Sequence, residues 1–177
     1  RYTSFLILKH NPKNKISFLK KKIKNLNYKK LDKINLHTQT ISTYSAKIAK
    51  ISGIRNILKT YQRDFIKKNK GCVLEGRDAS TKILKNSDVK FFFICNLNVA
   101  AKRRYSELRK KSKKISFKEV KRAIYRRNLI DKTRRISPLQ KHPDAILVNT
   151  TKNGKQAKIA KMSKHVEKFL NKKYGNW

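Results

Sequence analysis

The chain has 177 residues, long enough for one domain with a real core, and 38% of them are hydrophobic, which argues against a disordered chain. Lys and Arg number 48 against 10 Asp and Glu, a formal charge of +38. The lysines recur everywhere with Asn and Ile, which suits a coding bias as well as a nucleic-acid surface. Such a charge predicts non-specific binding to polyanions, whatever else the chain does.

Tyr2 to Lys9 reads as the end of a helix, broken by Asn11-Pro12. From Ile16 to Leu36 the apolar residues thin out among lysines, which predicts a lightly packed peripheral insert, part helix. Ile41, Tyr44, Ile48 and Ile51 keep a 3.6-residue period, a helix stopping near Ser52-Gly53. Ile54, Ile57, Leu58, Tyr61 and Phe65 mark a second, running to about Lys68. Cys72 to Glu75 and Val89 to Cys95 are short apolar runs and read as buried strands. Asn96 or Asn98 can cap the helix that follows, which carries Arg103 and Arg104. Lys110 to Lys114 is a basic linker, and Ser116-Phe-Lys-Glu119 has the spacing of a capping box. Pro138 closes that helical region, Ala145 to Val148 reads as a third strand, and a last helix spans about Gln156 to Lys172. Short apolar strands alternating with helices make the fold class α/β.

Two groups of residues carry possible chemistry. Gly76-Arg77-Asp78 follows a strand end, where ligands of α/β sheets sit, and joins a guanidinium to a carboxylate. That pair suits a phosphate or a nucleotide hydroxyl, or it is a surface turn in which the two charges meet. Arg127, Asp131 and Arg134 are spaced by four and three, so they share a helix face that can close over a polyphosphate. Cys72 and Cys95 form no CxxC, and the four histidines are scattered, so no metal site is expected and the thiols read as free and buried in a reducing cytosol. The longest apolar runs fall far short of a membrane span.

In order and spacing these motifs resemble the bacterial cytidylate kinases, from about Thr38 to Leu170 and over Arg1 to His10. The matched pieces are Gly76-Arg77-Asp78, Arg103-Arg104, the Arg127, Asp131 and Arg134 set, Pro138-Leu139, and Asp144-Ala145 leading to Asn149-Thr150. Thr38-Gln39 and Arg55 match the segment that approaches the nucleoside monophosphate. The resemblance implies a P-loop NTPase, nucleoside monophosphate kinase-like three-layer fold with a parallel sheet, whose first (P-loop) and second strands this chain lacks. It implies transfer of the ATP γ-phosphoryl to CMP or dCMP, with ATP and Mg²⁺ as co-substrate, by a cytoplasmic monomer with no membrane and no specific nucleic acid partner.

It also implies roles. Arg1, Arg55 and Arg77 would grip the CMP phosphate, and Asp78 and Asp131 would bind the sugar or orient arginines. Arg127 and Arg134 would be lid arginines beside Asp131, and Arg103 would lie on the ATP side. The chain divides accordingly into 1–10, the end of an N-terminal core helix, and 11–69, the monophosphate-binding region with a shortened basic insert. Core strands and helix follow at 70–113, the lid at 114–137, and the C-terminal core strand and helix at 138–177. His37, Ala46, Ala79-Ser80 and Asn128-Leu129 depart from the family pattern. No G-x-x-x-x-G-K-[ST] occurs, which predicts that Arg1 is internal to a longer protein and that this piece alone is inactive. A basic RNA- or ribosome-associated protein and a catalytically dead kinase remnant are the competing readings.

Overall fold

The computed structural model describes the chain except for residues 25, 27–30, 32, 70, 111–114, 153 and 176–177. The predicted basic linker after Lys110 and part of the lysine-rich insert lie outside the described residues. Helices dominate, and the chain divides into two compact units, the first formed by Arg1–Arg77 with Ile130–Pro138, the second by Asp78–Leu129 with Leu139–Trp177.

The first unit is built from α1 (Tyr2–His10), α2 (Lys15–Lys24), α3 (Gln39–Ile48) and α4 (Ser52–Lys68), with α1 packed on α3 and α2 on α4. Asn11 ends α1 in the left-handed region at φ 39°, and its N–H reaches the Ile7 carbonyl at 2.8 Å. Asn is one of the few residues other than Gly that enter this region readily, and Pro12 then stops any continuation. Thr38 caps α3, its hydroxyl accepting from the Ile41 N–H at 3.2 Å. Leu6, Ile7, Leu19, Ile23, Ile48 and Ile54 form the core, flanked by half-buried rings such as Phe5, Phe18, Tyr44 and Tyr61.

Two expectations change here. Leu19 and Ile23 are 0% and 3% exposed, so α2 is a core helix rather than a peripheral insert. Ile16, Leu19 and Ile23 form an apolar stripe at helical spacing, and the surrounding lysines occupy the other faces. Ser52 and Gly53 begin α4 instead of ending α3. Gly53 sits where α2 comes close, for a Cβ there would lie 2.5 Å from the Ile16 Cδ1. A buried hydroxyl pair ties α1 to α3, with Ser4 and Ser45 Oγ atoms 2.8 Å apart. Ser45 spends its one proton on the Ile41 carbonyl at 2.7 Å, so Ser4 is the donor between them.

The second unit holds β1 (Phe91–Ile94), α5 (Leu97–Arg109), most of α6 (Phe117–Thr133), β2 (Ile146–Asn149) and α7 (Lys155–Tyr174). The strands pair in parallel, Phe91 opposite Ile146 and Ile94 opposite Asn149. β1 falls inside its expected apolar run, and β2 runs one residue past the expected Ala145 to Val148, to Asn149. Asn96 caps α5, accepting from the Asn98 N–H at 2.9 Å. The capping box of α6 forms in both directions, Ser116 N–H to Glu119 at 3.1 Å and Glu119 N–H to the Ser116 hydroxyl at 3.2 Å. Tyr105 meets Phe117 edge-on at 6.0 Å, joining α5 to the start of α6, and His165 of α7 lies 6.4 Å from the Phe91 ring.

The expected strand at Cys72 to Glu75 does not form. Residues 72–76 belong to no helix or ladder, Cys72 is exposed rather than buried, and Val73 is fully exposed. β1 has β2 as its sole ladder partner among the described residues. An apolar run has strand propensity, but a strand exists only where a neighbour accepts its hydrogen bonds.

Candidate active site

A buried carboxylate held by two arginines is the most constrained polar cluster of the first unit. Asp131 lies in the last turn of α6, and its side chain is 4% exposed. The Arg134 Nη1 donates to its Oδ1 at 2.9 Å, and the Arg77 Nε stands 3.2 Å from its Oδ2. A charge at this depth is tolerated only when paired, and here one negative centre faces two positive ones.

The local backbone explains the placement. α6 ends at Thr133, and Ser137 takes φ 52°, turning the chain back so that its carbonyl accepts from the Arg134 Nε at 2.6 Å. Arg134 is therefore fixed on two sides, with a side chain 4% exposed. Arg77 is 38% exposed and engages Asp131 through Nε. A guanidinium pre-oriented in this way can take two oxygens of a phosphate without first losing rotamer freedom.

The other expected site residues are distributed as follows. Arg1 donates through Nη1 to the Leu36 carbonyl at 3.3 Å and meets His37 Nδ1 at 3.2 Å. Arg55, in the first turn of α4, reaches the Ala49 carbonyl at 3.5 Å. Asp78 is 8% exposed and opens a π-helical turn over Ala79–Ile83, in which the Leu84 N–H reaches the Ala79 carbonyl at 2.8 Å. Arg127 is half-buried one turn before Asp131 on α6. Arg103 donates to the Thr150 carbonyl at 2.7 Å and approaches the Cys95 sulfur at 3.6 Å. It thus lies at the carboxyl ends of both parallel strands, the edge where ligands of α/β sheets bind.

The structure brings Arg77, Asp131 and Arg134 into one cluster and places Arg103 at the strand ends. Sequence reasoning passed over Thr81, whose Oγ1 is buried in the π turn without a hydrogen-bond partner. A hydroxyl three positions after Asp78 was the available signal. Thr150 and Thr151 knit the strand ends, Thr150 Oγ1 donating to the Ile94 carbonyl at 3.0 Å and Thr151 Oγ1 accepting from the Asn96 N–H at 3.0 Å. No group of three or more metal-ligating side chains occurs among the described residues. No helix among them is long and apolar enough to cross a membrane.

Within the first unit, arginines gathered about a buried carboxylate have the chemistry to bind phosphate groups, and within the second unit Arg103 stands at the strand ends. The cytidylate kinase family model matches residues 5–168, and the chain belongs to that family. It is similar to the cytidylate kinase of Thermosipho melanesiensis, 41% identical over 116 residues, which are 66% of this chain and 53% of that protein. The cytidylate kinase of Bartonella bacilliformis is 37% identical over 116 residues, 66% of this chain and 54% of the relative. That of Bartonella tribocorum is 33% identical over 165 residues, 90% of this chain and 75% of the relative. The chain spans about half the length of the first two curated relatives and three quarters of the third.

Proposed function

We propose that the protein carrying this chain transfers the γ-phosphoryl of ATP, as its Mg²⁺ complex, to CMP or dCMP. The observation that carries this reading is Asp131, buried between Arg77 and Arg134. Phosphoryl transfer needs positioned positive charge more than covalent chemistry, and a carboxylate that locks two guanidiniums supplies it in advance. Arg77, with Arg1 and Arg55, would grip the monophosphate, Asp78 would bind the sugar, and Arg127 and Arg134 would face the moving phosphoryl. Arg103, at the strand ends, would lie on the ATP side, and the buried Thr81 hydroxyl is an additional donor for the nucleotide. Mg²⁺ belongs to the ATP complex in this reading, with phosphate oxygens as its main ligands. Free thiols at Cys72 and Cys95 support a reducing, cytoplasmic setting, and a monomer suffices for a site built within one chain.

Coupled ATPase assays across CMP, dCMP, UMP, AMP, GMP and shikimate test the proposal. Turnover should be greatest with CMP or dCMP. Equal or better turnover of AMP, GMP or shikimate would reject it.

A further inference from the structure

The excess positive charge is spread over most of the chain, but on α7 it is sorted. Of the seven lysines of α7, five fall at 158, 161, 164, 168 and 172, steps of three or four that keep them on one flank, while Lys155 and Lys173 lie off it. The apolar residues Met162, Val166, Phe169 and Leu170 are half-buried, and the opposite flank carries Ser163, Glu167 and Asn171 instead. A coding bias toward lysine would not choose between two solvated flanks of the same helix. The lysine flank runs about 21 Å along the axis.

Its C-terminal half borders an open pocket of about 220 Å³. Its lining combines the apolar Val89, Ile146 and Phe169 with the basic Lys90, Lys168 and Lys172. Two carboxylates, of Asp88 and Asp144, also line the pocket. Asp88 is paired with Lys173 at 3.0 Å, and Asp144 lies 3.5 Å from His142. Lys173 also sits over the ring of the lining residue Phe169 at 5.5 Å.

We propose that the lysine flank of α7 and this pocket form a binding surface for single-stranded nucleic acid, the lysines tracking phosphates and the pocket receiving a base. A basic track beside an apolar recess is the arrangement by which proteins hold single strands without reading sequence, and a paired base cannot enter the recess. An anionic membrane is the poorer fit, because the apolar side of α7 is half-covered and His165 packs toward Phe91. The site is separate from the arginine cluster and does not depend on the kinase reading.

Fluorescence anisotropy with a labelled oligothymidine of about fifteen nucleotides tests this, with salt titration. The triple variant K161Q/K168Q/K172Q should weaken binding about tenfold or more and lower the salt slope by about two to three. The matched triple K20Q/K21Q/K22Q on α2 should change it far less, although all three of those lysines are exposed. Phe169→Leu should weaken oligothymidine but leave inorganic polyphosphate, which has no bases, unchanged. Circular dichroism confirms that each variant keeps its helices. Equal losses from the two triples would mean diffuse charge and overturn the proposal, as would duplex binding as tight as single-strand binding. Binding of phosphatidylserine vesicles that needs the α7 lysines, with oligothymidine insensitive to them, would overturn it in favour of a membrane.

Discussion

Asp131 and Arg134 share a 2.9 Å hydrogen bond with both side chains 4% exposed, so the pair is held inside the protein rather than on its surface. Removing the carboxylate leaves the Arg134 charge buried beside a second guanidinium. Asp131→Ala should therefore cost about 3–5 kcal/mol, read as a lower urea midpoint at an unchanged denaturant slope. A loss below about 1 kcal/mol would mean that water already reaches the pair.

The same geometry bears on catalysis. Arg134→Ala should lower kcat for CMP by on the order of a hundredfold and raise KM much less. An arginine that stabilises developing charge, or holds its neighbours for that task, acts in the transition state. A pure KM effect would place Arg134 in ground-state binding instead.

Leu19 is 0% exposed in the core shared by α1, α2, α3 and α4. Leu19→Ala should cost about 2–5 kcal/mol by thermal or chemical unfolding. A cost near that of a surface change would restore the peripheral reading of α2.

The α6 cap makes a pH prediction. Hydrogen bonds from the Ser116 side chain, then from its backbone, hold the Glu119 carboxyl below its ordinary value, with Arg122 adding to the effect. A depressed carboxylate stabilises the fold above the pKa of the unfolded chain, and that stabilisation disappears as pH falls through the folded value. Thermal midpoints of the parent and of Glu119→Gln should thus converge as pH drops below about 4. A constant gap across that range would show that the carboxylate charge contributes nothing to the cap.

Much of this was legible in the sequence because it is local. Ser116 and Glu119 are three residues apart, and their spacing alone predicts the reciprocal bonds that form. Asn11-Pro12, Asn96 and the apolar run around Phe91 belong to the same category. Cys72 to Glu75 was not legible, since propensity says nothing about whether a ladder partner exists. Nor was the burial of α2, where many lysines hide three apolar residues that all face inward. At the site, spacing put Arg127, Asp131 and Arg134 on one face, but the link from Arg77 to Asp131 joins distant parts of the chain. The Ser137 turn that fixes Arg134 depends on a backbone angle that a serine does not advertise.

The parallel pair carries a kinetic consequence. Asn96 and Thr151, which bond just beyond the strand ends, are 55 residues apart in sequence, and no tight turn can connect parallel strands. The helices of the first unit form their own hydrogen bonds locally before they pack, and their contacts close somewhat shorter spans, such as the 41 residues between Ser4 and Ser45. Loop closure must be met before β1 and β2 return any hydrogen bonds, so the second unit should be the slower to assemble. During that interval Phe93 and Leu147, still 55% and 47% exposed in the finished fold, are uncovered on strands awaiting each other. Productive refolding should accordingly fall as protein concentration rises, with the loss originating in residues 91–94 and 146–149 rather than in the helices.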